Sequence, residues 1–160
     1  MKTRLLILLL ISSSSYLFAQ EFPKGVFNGE HHVALGLQFG EEESKKITNE
    51  SETYTDAKKY TEEDLKAIGI EPAFTYIKAP VGGGSLPSML KKGDARCILL
   101  FIFVEHPKKG GAQEEFKGRL ELREVDENGR QSGKNLLFTI GDGTTNLPTL
   151  ISELQQHIAE

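Results

Sequence analysis

The chain has 160 residues, with 19 basic and 23 acidic side chains, a net charge of −4, 38% hydrophobic residues and a single cysteine. That balance excludes the basic footprint of a nucleic-acid binder, and one cysteine excludes an internal disulfide framework. The length suits one domain with a core of its own.

Met1-Lys2-Thr3-Arg4 is a basic start, residues 5–11 are apolar, and four serines lead to small Ala19. This is the layout of a secretory signal peptide over residues 1–19. A bilayer span needs about 20 apolar residues, so no membrane span is expected once the leader is removed. Losing Lys2 and Arg4 leaves 17 basic against 23 acidic residues, which also argues against an anionic membrane surface. The expectation is an exported chain, periplasmic or extracellular, with residues 20–160 as its single domain.

Residues 20–32, with Pro23, Gly25 and Gly29, read as a flexible lead-in. Within them Glu30, His31 and His32 form the densest group of metal-capable side chains. Adjacent histidines on an extended chain point to opposite sides, so no metal or other cofactor is expected. Val33, Leu35, Leu37 and Phe39 then alternate with Ala34, Gly36 and Gln38, the pattern of a strand. The second trio is small and invites close approach by another element. Residues 40–56 hold little to bury and read as a mobile loop, with a glycosylation sequon at Asn49-Glu50-Ser51. Thr61 reads as the N-cap of a short helix with acids in its first turn, Leu65 and Ile68 as its apolar contact and Gly69 at its end. Residues 74–78 read as a second strand.

Residues 79–95 are a loop rich in glycine and proline. Its Gly82-Gly83-Gly84-Ser85 lacks the Lys-Ser/Thr of a phosphate-binding loop, and Pro87 stands where a nucleophile elbow needs glycine. Residues 96–105 follow, with eight apolar side chains between Arg96 and Glu105. As a strand they place Cys97, Leu99, Phe101 and Phe103 on one face and Ile98, Leu100, Ile102 and Val104 on the other. Each buried side chain is worth about 1.5–3 kcal/mol, so both faces require cover, from a loop such as 79–95 or from a partner. Cys97, between apolar neighbours, reads as core filler rather than a reactive thiol.

Residues 106–117 read as a flexible connection. Residues 118–125 read as a strand with Leu120 and Leu122 inward and Arg119, Glu121 and Arg123 facing water. Asp126-Glu127-Asn128-Gly129 is a hairpin turn without the ligand pattern of a calcium loop, and residues 135–140 complete the hairpin. Gly141-Asp142-Gly143-Thr144-Thr145-Asn146 are turn and cap formers, and Asp142 opposes an anion there. Leu147, Leu150, Ile151, Leu154 and Ile158 make one stripe of a helix over 147–159, with Pro148 in its first turn and Thr145 or Asn146 as cap.

The sum is an α+β fold, a mainly antiparallel sheet of about five strands with two helices on one face, a two-layer sandwich. The element order over 33–158, with Leu120-Glu121-Leu122-Arg123-Glu124-Val125-Asp126 leading to Gly129, is similar to the periplasmic domains of curli-secretion and penicillin-binding-protein-activator lipoproteins. The lipoprotein cysteine is absent here. The functional expectation is a non-catalytic domain whose Leu100, Ile102 and Val104 meet another envelope or secreted protein, or a second copy of the chain. The alternative is a small ligand-binding protein or hydrolase with a pocket between loops 79–95 and 106–117. Its enzymatic form requires His31, Ser85, His106 and Asp142 to converge.

Overall fold

The computed structural model describes residues 33–40, 45–78, 97–125 and 136–160. In chain order these form β1 (Val33–Phe39), α1 (Glu52–Ala67), β2 (Phe74–Ile77), β3 (Cys97–Glu105), β4 (Lys117–Glu124), β5 (Leu136–Asn146) and α2 (Leu147–Ala159). A single 3₁₀ turn, Gln113–Glu115, precedes β4. The five strands make one sheet in the order β2-β1-β3-β4-β5, so the most apolar strand is also the middle one. The fold is α+β, and neither described helix is long and apolar enough to cross a membrane.

Successive strands β3, β4 and β5 pair antiparallel. Around β1 the pairing is different: β2 on one side and β3 on the other both run parallel to it. The β1–β2 pair follows from α1, since a helical connection returns the chain to the end where it started. Leu35, Leu37 and Phe39 of β1 stand beside Leu99, Phe101 and Phe103 of β3. Leu122 and Leu120 of β4 continue those rows. Both helices lay their apolar stripes on this first face, through Tyr54, Ala57 and Leu65 of α1 and Leu147, Leu150, Ile151 and Leu154 of α2. Cys97 belongs to the same core, and burial, with Glu124 nearby, pushes its thiol up to about 11.

α2 occupies the expected span, capped by Asn146, whose Oδ1 accepts from the Thr149 N–H at 3.0 Å. α1 corrects the expectation: it starts at Glu52 after N-cap Ser51, not at Thr61. Residues 52–56 are therefore helical rather than part of a loop. Thr61 lies mid-helix and donates its hydroxyl to the Ala57 carbonyl at 2.6 Å. A second correction concerns residues 141–146, which extend β5 rather than turning. Thr145 and Asn146 lie opposite Gly118 and Lys117 of β4. Gly141 and Gly143 have φ of 81° and 97°, the left-handed region that glycine enters without a Cβ penalty. The third concerns 106–117, which is tied down on α1. Thr53 donates to the Pro107 and Lys108 carbonyls (3.1 and 2.9 Å), Tyr60 to the Gly111 carbonyl (3.0 Å), and Gln113 to Asp64.

The other sheet face carries a second, smaller core of Ala34, Ile98, Leu100, Ile102 and Val125, joined by half-buried Phe74 and Tyr76. Gly36 supplies the room for it: a Cβ there would stand 2.9 Å from a Leu100 methyl and 3.2 Å from the Tyr76 ring and hydroxyl. The small residues of β1 thus admit side chains from the strands on either side.

Candidate ligand-binding cleft

Parallel neighbours end on the same side of a sheet, so the segments that follow β1 and β3 emerge together. β1 leads to α1 and β2 in one direction; β3 leads to β4 in the other. Ligands of open sheets with parallel strands gather at such a switch point, outside the carboxyl ends of the strands. A cleft of about 250 Å³ lies there, lined among the described residues by Lys46, Ile47, Ser51, Thr53, His106 and Lys108. The volume is somewhat below the ~300–1,000 Å³ of drug-sized sites, which suits a small ligand.

Each lining group has a local cause. Ile47 anchors the wall after β1 by packing on the first core. Ser51 faces back into its turn, its Oγ accepting from the Thr48 N–H at 2.9 Å. Thr53, buried in the first turn of α1, holds the opposite wall through its bonds to the Pro107 and Lys108 carbonyls. His106 sits edge-on to Phe39, with ring centroids 5.2 Å apart. Both hydroxyls are therefore committed to shaping the cleft. What the walls present to a ligand is the pair of exposed lysines and the start of α1.

A second polar group lies on the other sheet face. Glu121 is only 5% exposed, although strand alternation predicts it in water beside Arg119 and Arg123. It accepts from Arg119 Nε at 3.0 Å and Arg123 Nε at 2.8 Å. Burial alone would raise its pKa; the bonds and charges of Arg123 and Arg119 outweigh that and hold it below the ordinary 4.5. Lys78 feels the same group: burial and Arg123 lower its pKa, with Glu121 partly opposing. The Tyr76 hydroxyl is buried on the same face and has no hydrogen-bond partner among the described residues. Burial, partly opposed by Arg123, pushes its pKa up to about 12.

Breaking a buried pair from one side costs several kcal/mol. The arginines are partly exposed (40% and 19%), so the expected loss for Glu121→Gln at pH 7 is about 2–3 kcal/mol. A depressed pKa places the carboxylate's stabilisation above pH 4.5 and removes it as pH falls through the folded-state value. Urea melts of wild type and Glu121→Gln should therefore converge in acid and diverge at neutral pH. A gap that stays constant from acid to neutral pH would show that the loss does not come from the ionised carboxylate, and no gap at pH 7 would show the bridge to be neutral.

The remaining candidates are placed as follows. Leu100 and Ile102, expected to meet a partner, are 0% and 8% exposed in the isolated chain; they are core residues, because the second face is covered. Only Val104, at 56%, is exposed. Asp142 is exposed and accepts from the Thr144 N–H and hydroxyl at 2.9 and 2.7 Å. Those bonds hold it below the usual carboxylate range and engage the nearest donors. His106 lies at the cleft. Glu30, His31, His32, Ser85 and loop 79–95 lie outside the described residues. No family model, no curated protein and no solved structure matches this chain.

Proposed function

We propose that the chain is an exported, non-catalytic binding domain that holds a small ligand in the cleft between the ends of β1 and β3. The observation that carries this reading is position: the cleft lies at the switch point of the parallel part of the sheet. Its walls come from segments about sixty residues apart. The export half of the proposal rests on the basic–apolar–small order of residues 1–19.

The test is a small-fragment screen read by amide chemical shifts of the purified protein. Fragments that bind should move Lys46, Ile47, Ser51, Thr53, His106 and Lys108 together. Shifts confined to other surfaces, or none at all, would remove the cleft from consideration.

A second reading, docking of another exported protein or a second copy, is favoured by Val104. It is the exposed large hydrophobic residue among those described, at the end of the central strand. One valine is a small part of the roughly 1,000 Å² that a specific interface buries, which ranks this reading behind the cleft.

A further inference from the structure

We infer that the second sheet face is the docking surface of residues 79–96, the chain's own crossover from β2 to β3, and is therefore closed to outside partners. The face requires an occupant. Ala34, Ile98 and Leu100 are 0% exposed, yet both described helices pack on the opposite face. Neighbouring strands stand beside these side chains and cannot lie above them. Tyr76 carries the same message at the sheet edge. Its strand, β2, is an outer one, and still its hydroxyl is buried with no hydrogen-bond partner among the described residues.

Handedness identifies the occupant. β2, β1 and β3 run parallel, with β1 in the middle. A crossover between parallel strands of one sheet is right-handed in about 98% of cases. The step from β1 to β2 moves one way along the sheet, and its crossover, α1, covers the first face. The step from β2 to β3 moves the other way, so the same hand puts its crossover on the second face. The reach is ample. Ile77 stands level with Leu37, and Cys97 with Val33, four residues lower. The chain must therefore return about 13 Å along the strands and about 10 Å across them. Eighteen residues extend to about 60 Å, enough to rise to a second layer about 10 Å above the sheet and descend again.

Composition agrees with this path. Residues 79–90 carry no charge and include Val81, Leu86, Met89 and Leu90; charges begin at Lys91, close to β3. The sheet below is divided in the same way. β2, β1 and β3, which the crossover spans, supply the apolar residues of this face. β4, outside its path, supplies Arg119, Glu121 and Arg123. Residues 126–135 have no apolar side chain to offer. Residues 20–32, with Phe22, Val26 and Phe27, are the competing occupant, but no crossover carries them over β1.

The experiment maps through-space contacts by NMR in the purified protein, with leucine, valine and methionine methyls and aromatic rings labelled. The expected result is contact of the Leu100 methyls and the Tyr76 ring with Leu86, Met89 or Leu90. Contact with Phe22, Val26 and Phe27 in their place overturns the inference, as does contact with sheet neighbours alone. Contacts that appear only between differently labelled copies overturn it in favour of a second copy of the chain. The double variant Leu86→Ser/Leu90→Ser provides a separate readout. It should lower the urea midpoint and raise binding of an apolar-surface dye severalfold. A midpoint and dye binding at wild-type values would also overturn the inference.

Discussion

Replacing Leu100 by Asp should unfold the protein. Leu100 is fully buried, packs over Gly36, and stands opposite Gly36 on one side and Glu121 on the other. Truncating a buried leucine already costs about 2–5 kcal/mol. A carboxylate in its place also loses its water and meets the carboxylate of Glu121 across the strand pair, a repulsive arrangement. Together these reach the scale of a domain's whole stability, about 5–15 kcal/mol. Circular dichroism and amide dispersion should show a collapsed or unfolded chain. Val104→Asp, on the same strand but exposed, should keep the native spectrum. A folded Leu100→Asp protein would mean that the second face opens readily, and would return the residue to the partner-binding role that sequence alone suggests. Separation of a complex by Val104→Asp alone would raise the docking reading above the cleft.

Gly118→Ala should be the most damaging single-methyl change in the sheet. A Cβ at this position falls 1.9 Å from the Ile102 carbonyl oxygen and 2.7 Å from its carbon. Both are backbone atoms of the central strand, so no rotamer change relieves the clash. β4 would have to withdraw from β3 where both strands already depart from regular register, between Phe103 and Glu105 and between Gly118 and Leu120. Overpacking ordinarily costs about 1–3 kcal/mol; a backbone collision of this depth should lie at or above the upper end. The urea midpoint should drop with little change in slope. A variant within about 0.5 kcal/mol of wild type, the range of ordinary surface changes, would show that the strands part here at no cost.

What could be read from the chain follows from where the physics is local. α2 declares itself through a five-residue apolar stripe and an asparagine cap. β3 declares itself through an unbroken apolar run between turn formers. α1 hides its first two turns because the side chains it buries there, Thr53, Tyr54 and Ala57, are small or polar-tipped. Thr53 and Tyr60 are held by carbonyls of a loop some fifty residues away, and no local pattern announces such bonds. Glu121 was legible as a charge alternating with leucines. Its burial depends on the face behind it being covered, which is a tertiary fact. The cleft was half legible: the 106–117 connection was a candidate wall, and His106 and Lys108 do line it. The other wall required knowing that β1 and β3 run parallel, and neither strand carries a mark of its partner's direction.

That parallel pairing also sets an order of events. Val33 and Cys97 are partners, yet some 64 positions separate them, so β1 leaves the ribosome long before the strand it must join. At about 5–20 residues per second the wait is roughly 3–13 seconds. Until β2 emerges some 40 positions later to cover one edge, Val33, Leu35, Leu37 and Phe39 form an alternating apolar segment with no strand to pair against, and the other edge stays open for the full wait; such segments associate between chains. The β3–β4–β5 meander, by contrast, joins neighbours and can close as soon as it is made. Directly after β1 and Gly40 come Glu41, Glu42 and Glu43. Three like charges beside a waiting strand make its self-association costly, which gives this acidic run a task in the newborn chain.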